Sequence, residues 1–270
     1  MKLTMIDRLI TKNQAYVKNV QRADSRYTEF QKRGAMGLVL HSIGTPQPSA
    51  RAIANYFDSA SVEASVHAVI QADGVCYKLA PWNYRMWHVG GSANNTHIGV
   101  EMTEPDCIRY DAQNGYKLTI LDRNRALAFV KQTYAAAVEL FAELCKEFGW
   151  NPLEDGVILS HAECYRRGIG SNHGDPEHLW DALKTGYTMD TFRAAVAEKM
   201  KEEEEMRYNT LADLKADKNN APYYLPTIEK LMKKGILCGK GGTGDDTILD
   251  LGEDAVRVLV TLDRAGVYGE

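Results

Sequence analysis

The segment 160–176, Ser-His-Ala-Glu-Cys-Tyr-Arg-Arg-Gly-Ile-Gly-Ser-Asn-His-Gly-Asp-Pro, limits most sharply what this chain can fold into. It follows the apolar run Val157-Ile158-Leu159, which reads as a buried strand, and it carries His161 at its start and His173 and Asp175 at its end. Imidazole and carboxylate are both good zinc ligands, and a hydrolytic zinc site needs three protein ligands and one open position. Two ligands can come from this loop. The third has to be carried in by another element, so the fold must bring a distant stretch to the end of this strand. The best donor lies far upstream, where Gly37-Leu38-Val39-Leu40 reads as a second buried strand ending on His41. A histidine at a strand end is held by the sheet and faces the loops, where sites usually sit. A lone histidine there is commonly a satisfied structural residue; two of them, with His-x-Asp-Pro, argue for a shared site.

Two more stretches stand between these. Ser65-Val66-His67-Ala68-Val69-Ile70 leads to Asp73-Gly74 and a second apolar run through Leu79, which is a hairpin signal. Ile98-Gly99-Val100-Glu101 places a carboxylate among apolar neighbours. Either Glu101 sits on a strand edge facing water, or it is buried for a reaction, with its pKa raised toward the range of a general base. Taken in order with Leu40-His41-Ser42 and the 160–176 segment, these motifs resemble the zinc-dependent N-acetylmuramoyl-L-alanine amidases of the type 2 family, which includes phage endolysins and is related to the peptidoglycan recognition proteins. The resemblance covers roughly residues 30–195. Each motif is weak alone, and the four in the family's order are specific. The wording around His41 and His161 is similar to endolysins of phages that infect clostridia and related gut bacteria.

The resemblance implies an α/β fold with a mixed central sheet flanked by helices. It implies Zn2+ held by His41, His161 and Asp175, because the family's third ligand is Asp or Cys directly before Pro. It gives Glu101 the role of general base, and it places His67 near the substrate cleft, with a buried, hydrogen-bonded histidine as the equal alternative. Where the family often has Lys two residues before the third ligand, this chain has His173, and an imidazole there can stabilise the developing oxyanion. An ordinary histidine titrates near neutral pH, so activity should be more pH-sensitive than with lysine. A competing reading makes His173 the third ligand and Asp175 its orienter. Cys164 is a further thiolate candidate that the family pattern does not use. Trp87 and His88, in the aromatic loop 82–88, suit stacking and hydrogen bonding to a sugar or peptide and are assigned to substrate with His67; a core role is the plainer alternative. The implied reaction is hydrolysis of the amide between N-acetylmuramic acid and L-alanine of the stem peptide. The other classes are a peptidoglycan-binding module that does not cut and a zinc peptidase acting on another amide; His-Glu-x-x-His is absent.

The remaining sequence sets the domain plan. Residues 1–35 are polar and mixed and read as a short strand or arm. Ser49 can cap a helix over 50–57, and apolar positions recurring every three or four residues predict one long helix over 123–148, ended by Gly149. A catalytic domain over 1–200 is followed by a charge run at 201–207, a charged linker or a solvated helix end, and a small helical module at 208–270, a cell-wall-binding or dimerisation unit, with a homodimer as one outcome. A formal charge of −4 in 270 residues argues against nucleic acid as partner. No stretch suits membrane insertion, and the N-terminus lacks a secretory h-region. The five cysteines show no paired spacing and fit reduced thiols. The expected location is the host cytoplasm until release to the wall, as for an endolysin.

Overall fold

Short apolar runs in this chain become the middle of one sheet, and polar segments between them become the helices around it. The computed structural model describes residues 3–21, 24–205 and 207–269, and the chain divides into two units, Met1–Lys199 and Met200–Glu270. In order, the first unit contains β1 (Thr4–Asp7), α1 (Gln14–Gln21), α2 (Ser25–Arg33), β2 (Gly37–Ser42), α3 (Ala50–Phe57), β3 (Ala68–Ile70), β4 (Val75–Lys78) and β5 (His97–Met102). It continues with β6 (Ile108–Asp111), β7 (Lys117–Ile120), α4 (Arg123–Phe148), β8 (Ile158–Ser160), α5 (His161–Arg166) and α6 (Glu177–Leu183). α7 (Met189–Glu205) runs on past the boundary between the units.

The main sheet has the strand order β1-β4-β3-β5-β2-β8. Only the β3–β4 hairpin is antiparallel; the other pairs are parallel, so the sheet is mixed. Every residue of β2 and β5 is buried, as strands covered on both faces must be. α4 packs on β3 and β5, and α3 on β3 and β4. Both are set by their ends: Asp122 caps α4 and Gly149, at φ +68°, closes it, while Ser49 caps α3 by accepting from Ala52 N.

Three parts differ from the sequence expectation. Residues 1–35 hold two helices besides the short strand. α1 packs Ala15 and Tyr16 on the core and is clamped by two asparagines, one just before it and one within it: Asn13 Nδ2 reaches the carbonyls of Phe57, Val62 and Ala64, and Asn19 Nδ2 reaches Arg85 O. Periodicity in apolar residues cannot register such contacts. The hairpin of β6 and β7 was also not foreseen. The stretch 201–207, expected as a solvated helix end or a linker, is helix through Glu205, and it departs from both only in the strand that starts at Arg207.

The second unit adds β9 (Arg207–Thr210), α8 (Leu211–Ala216), α9 (Ala221–Lys233), β10 (Ile248–Gly252) and α10 (Glu253–Arg264). β9 and β10 pair antiparallel, so the module is not purely helical. Its own core gathers Tyr208, Leu214, Ile228, Leu249, Val256 and Val260.

Candidate metal centre

β2 lies between β5 and β8 and runs parallel to both, so the three C-terminal ends open on one edge. His41 pairs in register with Glu101, and Leu40 with Ser160, one residue before His161. α5 begins at His161 because Ser160 forms a capping box, its Oγ accepting from Glu163 N while the Glu163 carboxylate accepts from Ser160 N. The loop after α5 is tied back by Ala162 N donating to Asp175 O at 3.2 Å. Asp175 thereby presents Oδ2 at 3.1 Å from His41 Nδ1 and Oδ1 at 3.3 Å from His161 Nδ1. One ligand atom from each of the three lies within 4.8 Å of the others, and all three residues are buried.

The outer ring nitrogens show which atoms face inward. His88 Nε2 lies 3.1 Å from the His97 carbonyl, which can only accept, so His88 carries its proton on Nε2 and offers Nδ1 as acceptor. Burial, and the neighbouring His41, hold the His88 ring well below the usual imidazole range, in its neutral form. His41 Nε2 lies 2.9 Å from that Nδ1 and donates to it, and burial likewise depresses the His41 pKa. His41 Nδ1 is therefore a bare lone pair. On the other side, Ser171 donates its hydroxyl to Val89 O at 3.2 Å and accepts from His161 Nε2 at 3.1 Å, leaving His161 Nδ1 bare as well. Two lone pairs and a carboxylate thus converge with no proton between them. Such a set repels itself unless a cation sits among its members, and two imidazoles with one carboxylate are the donor chemistry of a hydrolytic zinc site. The residues fit the metal that the sequence implies.

Glu101 stands beside His41 on β5, and its Oε2 is sealed with no hydrogen-bond partner among the described residues. Burial raises its carboxyl pKa well above the ordinary value, and the charges of Asp175 and Glu104 add to the shift. A carboxylate kept without donors next to a metal centre is suited to take a proton. Glu104, three residues on, is wholly buried, and burial pushes its carboxyl up to about 7. It accepts from Gly44 N at 3.2 Å, just past His41, and from the Tyr110 hydroxyl at 2.8 Å. His178 Nε2 lies 2.8 Å from the same hydroxyl. Since that hydroxyl spends its proton on Glu104, His178 donates through Nε2. The chain of contacts links the end of β2, the β6–β7 hairpin and α6, which follows Asp175.

His173 is exposed and lies outside the converging group; its ring sits 4.5 Å from that of His161 and its Nδ1 contacts Ser171 Oγ at 3.0 Å. Ser171 has already spent its proton on Val89, so His173 Nδ1 donates to it and Nε2 is the free end. Cys164 is buried among Val39, Val89 and Leu159, with its thiol pushed up to about 12 by burial, and does not face the centre. Two expectations about substrate are corrected. His67 is fully buried: its Nδ1 accepts from Gly99 N at 3.0 Å and its Nε2 donates to Tyr84 O at 2.7 Å, and burial lowers its pKa to about 4. Both nitrogens are spent inside the protein, so it serves the fold. His88 is used up between His41 and His97 and orients the His41 ring, with no ring nitrogen left over for substrate. Trp87 does line a cleft, with Lys18 Nζ 3.9 Å from its ring centroid. Ser171, Glu104, Tyr110 and His178 were not singled out from sequence, since each belongs to a contact that spans 60 or more residues.

The sequence profile of the N-acetylmuramoyl-L-alanine amidase family matches residues 31–178, more than half of the chain. N-acetylmuramoyl-L-alanine amidase BlyA of Bacillus subtilis (strain 168) is 26% identical over 151 residues, covering 52% of this chain and 39% of that protein. The chain thus matches about two fifths of this relative's length. Among solved structures, the Staphylococcus aureus hydrolase AmiA superposes with a TM-score of 0.51 at 18% identity, covering 74% of this chain and 83% of that one. The catalytic domain of XlyA gives a TM-score of 0.46 at 18% identity, over 72% and 99% of the two chains. At such identities the likeness to AmiA speaks for the fold, a mixed sheet flanked by helices.

Proposed function

Because the chain belongs to the N-acetylmuramoyl-L-alanine amidase family, we propose that it hydrolyses the amide joining the lactyl group of N-acetylmuramic acid to L-alanine of the peptidoglycan stem, and that it does so with zinc. The observation that carries this reading is the convergence of His41 Nδ1, His161 Nδ1 and Asp175 beside the partnerless carboxylate of Glu101. Zinc bound by those three residues would polarise the scissile carbonyl and acidify the attacking water. Glu101 takes the proton that this water loses and returns it to the leaving amine of L-alanine. His173, anchored through Nδ1 to Ser171, turns Nε2 outward, where in its imidazolium form it donates to the oxygen that gains charge. His88 and Ser171 hold the two imidazoles in the tautomers that this requires. The reading extends to a phage or prophage lysin that waits in the host cytoplasm and acts on the wall after release, with the second unit serving wall binding or dimerisation.

Digestion of purified Gram-positive walls, with and without a zinc chelator, tests the proposal. The expected result is new alanine amino termini that appear only without chelator, and no new sugar reducing ends. Walls that pull the protein down yet yield neither product would make it a recognition module and remove the role given to Glu101. Amino termini other than alanine would make it a peptidase.

A further inference from the structure

A cleft of about 470 Å3 opens between Arg26, Arg85, Trp87 and Asn94, with Gly90 and Gly91 along one side. Arg85 is only 5% exposed. Its main chain is clamped by Asn19, whose Oδ1 accepts from Arg85 N at 3.0 Å and whose Nδ2 donates to Arg85 O at 2.8 Å. Its Nε donates to Asn95 Oδ1 at 2.6 Å, and the ring of Tyr27 lies 5.0 Å from the guanidinium carbon. No carboxylate pairs with it among the described residues. Lys18, over Trp87, also pairs with no carboxylate there, while Arg26 at the mouth is bound to Asp24. Asn94 spends Oδ1 on the amides of His88 and Val89, at 3.0 and 2.9 Å, which fixes the orientation of its side chain and leaves Nδ2 as a donor without a partner among the described residues. A buried cation with no carboxylate in contact, Asp24 acting on it only from a distance, is costly to a fold, and here it faces a cleft beside an unspent amide donor. In a chain of net charge −4 this local excess of unpaired cations is not a by-product of composition.

The cleft adjoins the metal centre. A Cβ on Gly90 would lie 2.5 Å from Ser171 Oγ, the atom that accepts from His161 Nε2. We propose that the cleft binds an oxyanion of the cell wall, a stem-peptide carboxylate or a wall-polymer phosphate, through the Arg85 guanidinium and Asn94 Nδ2. A guanidinium fork matches either group. That the anion comes from the wall rests on the amidase reading; that an anion binds rests on the unpaired donors alone.

Asn94→Asp tests it. Aspartate keeps oxygen acceptors for the amides of His88 and Val89 and sets a carboxylate against Arg85, so the variant should melt no lower than wild type while its cleft is filled from within. The full chain is titrated with a free stem peptide, which lacks the scissile bond, with the same peptide carboxamidated, and with inorganic phosphate. The expected result is that the stem peptide or phosphate binds wild type and loses about tenfold or more in Asn94→Asp, while the carboxamide binds both proteins alike. Which anion binds identifies the source. Arg26→Glu, at the exposed mouth, should weaken the same anion several-fold and covers the case in which Asn94→Asp fails to fold. No anion binding to wild type, or binding unchanged in both variants, overturns the site. Release of alanine amino termini by wild type is scored separately: its loss with anion binding intact removes only the amidase reading, and the converse removes only this one.

Discussion

Ser171 has one hydroxyl proton and three neighbours, Val89 O, His161 Nε2 and His173 Nδ1. Only the carbonyl cannot donate in return, so one serine sets the protonation pattern of two histidines. Ser171→Ala should therefore weaken zinc binding by about 10- to 100-fold, read by competition with a chromophoric chelator, with little loss of melting temperature in the metal-free protein. Val89 O keeps the main-chain bond from Ser171 N at 2.8 Å, so the variant strands no buried acceptor. Unchanged affinity would mean that the packing around His161 fixes its tautomer without Ser171. Glu104 predicts a pH effect. Its pKa is raised from 4.5 to about 7 in the folded chain, so the folded state holds the proton more tightly. The stability this supplies is complete below about pH 4.5 and is lost as pH rises through 7, on the order of 3 kcal/mol in all. Denaturant melts in chelator should show wild type losing stability relative to Glu104→Gln between pH 5 and 8; parallel profiles would refute the buried titration. His41, His161 and Glu101 were legible because each stands at a strand end or in an apolar run, and Asp175 because the resemblance sets the third ligand directly before Pro. Ser171, Glu104, Tyr110 and His178 were not, because a residue that orients another leaves no mark in local spacing.

At the level of elements, legibility followed apolar periodicity and caps. α4 was readable from Leu127, Val130, Tyr134, Val138 and Phe141, and α3 from the Ser49 cap. α2 buries just Tyr27 and Phe30, and α1 buries Ala15 and Asn19, too little apolar surface to announce a helix. Besides Ile10, Ala15, Tyr27 and Phe30 in the core, amide chemistry helps to hold this N-terminal layer, and that part can be tested at Asn13. That side chain is fully buried and gives its Nδ2 to three carbonyls, at 3.1, 2.8 and 2.9 Å, while its Oδ1 accepts from Ala15 N. Asn13→Ala would strand those acceptors out of water and should cost roughly 2–4 kcal/mol in urea melts. Asn13→Asp restores only the oxygen and should not rescue. A cost below about 0.5 kcal/mol, the usual size of a surface change, would show that α1 is held by something other than these bonds. The β6–β7 hairpin went unread for a different reason: its strands are four residues each and half-exposed, yet through Tyr110 it brings a hydroxyl to Glu104.

Among the described residues each of the two units has a hydrophobic core of its own, and the candidate metal-binding residues sit in one unit. The core of Tyr208, Leu214, Ile228, Leu249, Val256 and Val260 is drawn from the second unit alone, whereas His41, His161 and Asp175 all belong to the first. A ligand that binds one folded unit stabilises that unit by mass action, by about 4 kcal/mol when its free concentration is a thousand times its Kd. For a domain of this size each kcal/mol moves the midpoint by roughly 2–4 °C. Calorimetry of the full chain should then resolve two transitions, of which zinc raises one by about 10 °C and chelator lowers it again, while the other stays in place. The larger enthalpy belongs to the transition that moves, since unfolding enthalpy scales with residue number. A single transition that shifts as a whole would mean that the second unit cannot stay folded without the first. A pair of transitions that both ignore zinc would remove the metal from His41, His161 and Asp175, and with it the chemistry assigned to Glu101.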